Sequence, residues 1–98
     1  MPPKTAEFHS AAAKEAEAAF SWYAERNLLA ARAFTQELNH SVEMVLEGPE
    51  RWPRFGPAAR RYVMPRFPFS LIYRLREQGV EIVAIAHHKR KPGYWHSR

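Results

Sequence analysis

The sequence contains neither cysteine nor aspartate. The first absence excludes disulfides, thiolate metal sites and a cysteine nucleophile, and it fits a reducing compartment. The second removes the usual acid of a Ser–His–acid triad, and no serine stands in a strand-to-helix elbow where it would be presented as a nucleophile. No apolar run approaches the roughly 20 residues a membrane helix needs, and Met1–Ser10 lacks the apolar stretch of a secretory signal. The expected location is the cytoplasm. Carboxylates are scarce in the second half, where only Glu77 and Glu81 occur. Paired-carboxylate chemistry is therefore not expected there.

Charge of the opposite sign fills that half. From Met1 to Glu50 there are four Lys/Arg against eight Glu, a balance of −4; from Arg51 to Arg98 there are eleven against two, a balance of +9. So uneven a distribution points to a polyanion-facing surface built by the second half. The plainer alternative is that these cations only keep a small protein soluble. Hydrophobic residues make up 46% and charged residues 26%, a globular composition. A chain of 98 residues is expected to form one domain over residues 1–98, hiding roughly 60–65% of its unfolded surface.

Periodicity predicts the elements. Lys4–His9 is a candidate edge strand, and Ser10 a candidate N-cap. Ala11–Arg26 carries Ala13, Ala16, Phe20, Tyr23 and Ala24 at helical steps, and Leu28–Glu47 repeats the pattern through Ala31, Phe34, Leu38, Ser41 or Val42, and Val45. Asn27 breaks the two, which must then lie as an antiparallel hairpin. The aromatics Phe20, Trp22, Tyr23 and Phe34 are expected to pack in that hairpin. Gly48-Pro49 ends the second helix, with glycine in the left-handed cap. Glu50–Pro57 is a loop whose Trp52 and Phe55 should pack onto the sheet. Strands follow at Arg60–Met64, Phe67–Arg76 and Val80–His87, the last two joined by a three-residue loop, Glu77-Gln78-Gly79, with Gly79 left-handed. In the last strand Ile82, Ala84 and Ala86 should oppose Val83, Ile85 and His87. Being apolar on both faces, it should be central. The fold class is α+β: an N-terminal strand and a two-helix hairpin packed on one face of a mainly antiparallel sheet of three or four strands.

The chain end carries the densest chemistry. His87-His88-Lys89-Arg90-Lys91 leaves the apolar strand and runs into Pro92-Gly93-Tyr94-Trp95-His96-Ser97-Arg98. Cations interleaved with aromatics suit single-stranded nucleic acid, charge for phosphate and flat rings for bases. The alternative is a solvated tail with Tyr94 and Trp95 folded back on the body. Adjacent histidines on a strand point to opposite faces, so His87 and His88 cannot grip one ion; no metal site and no cofactor are expected. RNA brings its own 2′-hydroxyl nucleophile, and cutting it requires alignment, two proton transfers and charge at the phosphate. The candidates for catalysis are His87, Tyr94, Arg61, Arg74, Lys89 and Arg90. Arg54, Arg60, Arg66, Arg76, His88, Lys91 and Trp95 are candidates for nucleic-acid binding.

Several segments carry a family resemblance. Arg66-Phe67-Pro68-Phe69-Ser70-Leu71-Ile72-Tyr73-Arg74-Leu75, then Val80-Glu81-Ile82-Val83-Ala84-Ile85-Ala86-His87 and Arg90-Lys91-Pro92-Gly93-Tyr94-Trp95, resemble the corresponding strands and basic end of the RelE/ParE toxin family. The Ala-rich helix with Trp22-Tyr23, the second helix and Pro49-Glu50-Arg51-Trp52-Pro53 are similar to that family's helical hairpin and following loop. The resemblance implies the toxin half of a type II toxin–antitoxin pair, of the plasmid-stabilisation kind, neutralised by a cognate antitoxin. It implies one of two activities: metal-independent mRNA cleavage on the ribosome (RelE-like, an mRNA interferase), or non-enzymatic inhibition of DNA gyrase (ParE-like). Family members that cut mRNA often carry an arginine three residues before the strand tyrosine; here Ser70 stands there. Either Arg74, Arg61 or Lys89 supplies the missing charge, or the chain does not cut RNA. The residue reading favours mRNA cleavage, with gyrase inhibition or an inactive antitoxin-binding module as alternatives.

Overall fold

The structure, a computed structural model, describes residues 4–98. Its elements run β1 (Thr5–Phe8), α1 (Ser10–Arg26), α2 (Leu28–Glu47), β2 (Arg60–Val63), β3 (Phe69–Arg76) and β4 (Gly79–His87). The expected order of strand, helical hairpin and three-stranded meander is the observed one. The four strands form one sheet in the order β1-β4-β3-β2. β4 is internal, as its two apolar faces require, and β1 joins it in parallel, Thr5 opposite Gly79 and Phe8 opposite Ile82.

Local chemistry sets the helix ends. His9, not Ser10, is the N-cap of α1: its Nδ1 accepts from the Ala11 N–H at 3.0 Å. Asn27 serves both helices. Its N–H donates to the Tyr23 carbonyl at 2.7 Å, closing α1, while its Oδ1 accepts from Leu29 and Ala30, opening α2. Gly48 ends α2 without entering the left-handed region, at φ −154°. The rigid Pro49 that follows is sufficient to stop the helix.

The helices cover one sheet face. Phe34, Ala31, Ser41 and Val45 of α2 and Ala12 and Ala19 of α1 are buried; the core they line includes Leu71, Tyr73, Val80, Ile82 and Ile85 of the sheet. The stripe of α1 is rotated from the expected one. Ala12, Ala16, Ala19 and Tyr23 face inward, so Phe20 (37% exposed) and Trp22 (53% exposed) are not in the core. Small alanines let α1 approach β4 closely, and that proximity turns the larger rings outward.

A bulge in β4 reorganises the opposite face. Tyr73 pairs with Ile82 but Ile72 pairs with Ala84, so Val83 is the extra residue. One inserted residue reverses the alternation beyond it. Val83 and Ala84 thus both join the second cluster, with Ala59, Ile72, Ala86 and Trp95, while Ile82 and Ile85 both face the helices. The expected grouping of Ile82 with Ala84 and Ala86 therefore fails. The β3–β4 connection is also shorter than expected. Arg76 pairs with Gly79, leaving Glu77 and Gln78 as the turn. Gly79 lies in β4 at φ +151°, where a Cβ would fall 1.8 Å from the Thr5 carbonyl oxygen. Glycine is needed there to let β1 dock.

The Glu50–Pro57 loop packs as expected. Trp52 meets Tyr62 edge to face at 4.7 Å, Phe55 meets Trp95 at 5.5 Å, and the Arg61 N–H donates to the Pro53 carbonyl along the outer side of β2.

Candidate functional site

The basic half does not form one open cationic platform. Glu15, on α1, is the hub at one end. β1 stops at Phe8, so the outer edge of β4 beyond Ile82 has no strand partner. Glu15 Oε1 accepts from the Ile85 N–H at 2.9 Å, and its carboxylate takes both terminal nitrogens of Arg98 at 3.0 Å and one of Arg90 at 3.2 Å. Arg98 also donates to the Val83 carbonyl at 2.9 Å. One carboxylate and one guanidinium thus occupy an edge that would otherwise be bare, and they draw the chain end back onto the sheet.

Other arginines are held in the same way. Glu37 is 5% exposed on α2, and its two oxygens accept from the Arg66 Nε at 2.7 Å and the Arg66 backbone N–H at 2.8 Å. Glu81 receives Arg76 closely and Arg74 at 3.7 Å, and Arg74 also donates to the Arg98 carbonyl. Arg60 donates to the carbonyls of Glu50 and Trp52. Of the candidate cations, Arg66, Arg74, Arg76 and Arg90 already have carboxylate partners. Arg54, Lys89 and Lys91 are exposed.

The aromatic candidates are less open than a base-stacking role requires. Trp95 is 2% exposed, packed with Ile72, Val83, Ala84 and Ala86; it cannot stack on a nucleotide as the exposed-tail reading expected. Tyr94 lies under the Arg90 guanidinium at 3.5 Å, and its hydroxyl is buried without a well-formed hydrogen bond. Burial, with the Glu15 carboxylate beside it, pushes the Tyr94 phenol up to about 12, against the smaller opposing pull of Arg90 and Arg98. So weak an acid is poorly matched to proton transfer near neutral pH. The folded-back alternative describes this segment.

His87 and His88 separate as strand geometry demands. The His87 ring packs edge-on against Phe69, on the helix side. His88 Nε2 lies 2.9 Å from the buried Ser70 Oγ. No local signal announces this Ser–His pair, because the residues are 18 apart and meet only through the register that puts Ser70 opposite Ala86. No carboxylate bonds to His88 among the described residues, so nothing of that kind orients the imidazole for catalysis. Arg61 is the remaining candidate. Its guanidinium stands 4.2 Å over Phe55, and it is not engaged by any carboxylate among the described residues.

An apolar groove opens between α1 and the sheet. Trp22, Tyr23 and Ala19 of α1, Phe69 of β3, Ile85 and His87 of β4, and Tyr94 line a cavity of about 410 Å³. It accounts for the exposure of Trp22, stacked by Arg26 at 3.8 Å. Trp22, expected to pack in the helical hairpin, lines this surface instead; its exposure follows from the inward stripe of α1, which periodicity alone does not orient.

A helical hairpin laid on one face of a four-stranded mixed sheet, with the N-terminal strand parallel to the last, is a ParE-like α+β fold. The chain belongs to the family described as the ParE toxin of type II toxin–antitoxin system, parDE, whose model matches residues 6–92. Its fold is also that of a solved chain described as "Chromosomal ParDE TA system from P. aeruginosa". The two are 19% identical, the match covers 87% of this chain and 96% of that one, and the TM-score is 0.75. No curated protein matches the chain.

Proposed function

We propose that this chain is a cytoplasmic toxin, a single domain over residues 1–98, that works by binding a protein target. DNA gyrase is the target that the ParE family points to, and a cognate antitoxin holds the toxin in check. The observation that carries this reading is the internal pairing of the basic half. Arg66, Arg74, Arg76, Arg90 and Arg98 are committed to Glu37, Glu81 and Glu15, and Trp95 is in the core. An mRNA-cutting site needs charge and proton donors converging on one phosphate. Here the candidates are divided between two sheet faces, and Arg66, Arg74, Arg76 and Arg90 are drawn to carboxylates of the chain itself. Ser70 in place of arginine agrees with that division.

The apolar groove beside Trp22 suits the antitoxin. A partner filling it would bury Trp22, Tyr23 and Phe69, large rings of the kind that dominate binding energy at interfaces. Acidic residues flanking the partner's apolar face would meet Arg90 at the rim.

A supercoiling assay with purified gyrase tests the proposal. Inhibition, or accumulation of cleaved DNA, is expected. Neither effect, together with new mRNA ends at the decoding site of programmed ribosomes, would replace this reading with the RNA-cutting one. Unimpaired growth on induction without the antitoxin would instead mark a plain binding module.

A further inference from the structure

β3 is longer than the strand beside it. β2 starts at Arg60, opposite Tyr73, so Arg74, Leu75 and Arg76 run on past it with only β4 at their side. The Met64 N–H donates to the Phe69 carbonyl across the β2–β3 pair. The alternation of an antiparallel ladder then turns the backbone groups of Phe69, Leu71, Tyr73 and Leu75 toward β2. Leu75 has no residue of β2 to meet. Its carbonyl takes a bond of 3.3 Å from Arg76, and no loop or turn carbonyl among the described residues accepts from its N–H. Leu75 is 40% exposed. An open stretch of strand edge is a template on which another chain can pair.

Positive charge frames this edge. A cleft of about 250 Å³ opens there, lined by Arg54, Arg60, Arg74 and Arg76 and by no carboxylate. Glu81 answers both Arg74 and Arg76, while Arg54 and Arg60 have no carboxylate partner among the described residues. Four guanidinium groups against one carboxylate leave an excess of three (4 − 1). Glu50 and Glu77 line a neighbouring cleft with Lys4 and Arg51. The cations do not converge on one point. Arg60, opposite Tyr73, is on the helix side of the sheet. Arg74 and Arg76 are on the other side, about 7 Å apart along β3.

This arrangement selects its ligand. A strand laid on the edge turns successive side chains to opposite faces. Consecutive acidic residues would therefore meet Arg60 on one side and Arg74 and Arg76 on the other, while the backbone pairs with Leu75. A nucleic-acid strand has no amide backbone to pair. The cleft also offers its bases no open ring, since the aromatic in its lining, Tyr73, is 0% exposed. The apolar groove is distinct from this cleft: it is lined by Phe69 at the other end of β3, about 20 Å away.

We propose that this end of the sheet grips an extended, acidic segment of the toxin's protein target, laid along the free edge of β3 between Arg54, Arg60, Arg74 and Arg76. The proposal rests on the protein-binding reading and gives it a surface separate from the antitoxin groove.

The test titrates the uniformly nitrogen-15-labelled full chain with an octaglutamate peptide and, separately, with a single-stranded DNA octamer at the same ionic strength. The expected result with the peptide is a saturable shift of the Leu75 amide, with the Phe69 and His87 amides unmoved. The apparent Kd should rise at least tenfold in Arg54→Gln/Arg76→Gln. It should stay within twofold of the parent in Lys14→Gln/Arg32→Gln, which removes the same charge from the helices. Arg54→Gln alone, at an exposed side chain, should raise it at least threefold and guards against a double variant that does not fold. In the gyrase supercoiling assay the Arg54→Gln/Arg76→Gln chain should need at least tenfold more protein for half inhibition. No saturable shift, equal losses in the two double variants, tighter binding of the DNA at the same amides, or full gyrase inhibition by the arginine variant overturns the proposal. A parent chain that binds the peptide here yet leaves gyrase active keeps the cleft and removes gyrase as the target, so the two failures read differently.

Discussion

Replacing Glu15 tests how the end of the chain is held. Its carboxylate is 16% exposed and receives the Ile85 N–H, Arg98 and Arg90. The Arg90 contact is half exposed, and pairs of that kind are worth about 0–1 kcal/mol. The Ile85 and Arg98 contacts are better shielded. Hydrogen bonds to a charged group contribute about 1.5–3 kcal/mol each, and breaking a buried pair costs about 3–5 kcal/mol. Arg98 keeps its bond to the Val83 carbonyl, which places the loss at the lower end, and alanine in a helix returns a few tenths of a kcal/mol. Glu15→Ala should therefore destabilise the fold by about 3 kcal/mol, and for a domain of this size lower Tm by on the order of 15 °C. Glu15→Gln can still accept from Ile85 and should lose about half as much. Urea denaturation followed by circular dichroism gives the stability, and tryptophan fluorescence reports whether Trp95 leaves its cluster. A double-mutant cycle with Arg98→Ala should show coupling of about 1–3 kcal/mol. A Glu15→Ala protein within about 0.5 kcal/mol of the parent, the range of ordinary surface changes, would refute the idea that this carboxylate closes the β4 edge.

Three further outcomes follow from other contacts. Gly79→Ala places a Cβ against the Thr5 backbone at a positive φ and should cost about 2–4 kcal/mol; hydrogen exchange should show β1 losing protection first. Glu37→Ala strips the Arg66 Nε and backbone N–H of their shared acceptor and should cost about 2–3 kcal/mol, measured by the urea midpoint. Burial raises Tyr73 and Tyr94 to about 12 in the folded chain, against 10.0 for an ordinary phenol. The unfolded chain then loses these protons first, so this stability is fully present below pH 10 and falls as pH rises from about 10 through about 12. The slope is about 1.4 kcal/mol per pH unit for each tyrosine, and less for the partly exposed Tyr94. A phenolate absorbance titration of the native protein in which both titrate near 10 contradicts this account.

Much of the fold could be read from the chain alone. Asn27 between two apolar stripes, Pro49 after the second, and a β4 segment apolar on both faces determine a helical hairpin and a central strand through local periodicity and backbone chemistry. Those forces act over a few residues, so a single sequence displays them. The resemblance in the β3 and β4 segments likewise pointed to the family, while the proposal that the chain binds a protein rather than cutting RNA rests on where the side chains end up.

That destination belongs to the tertiary structure. The composition shows eleven cations after residue 50, but not that Glu15, Glu37 and Glu81 would claim five of them. Ion pairs between residues as far apart as Glu15 and Arg98 depend on the packing of α1 beside β4. The bulge at Val83 has the same character: it moves one residue in register and thereby decides which side chains line each face. Sequence determined the elements because their chemistry is local. Only the folded chain decided which charges remain available, because pairing over long separations is a property of three-dimensional register.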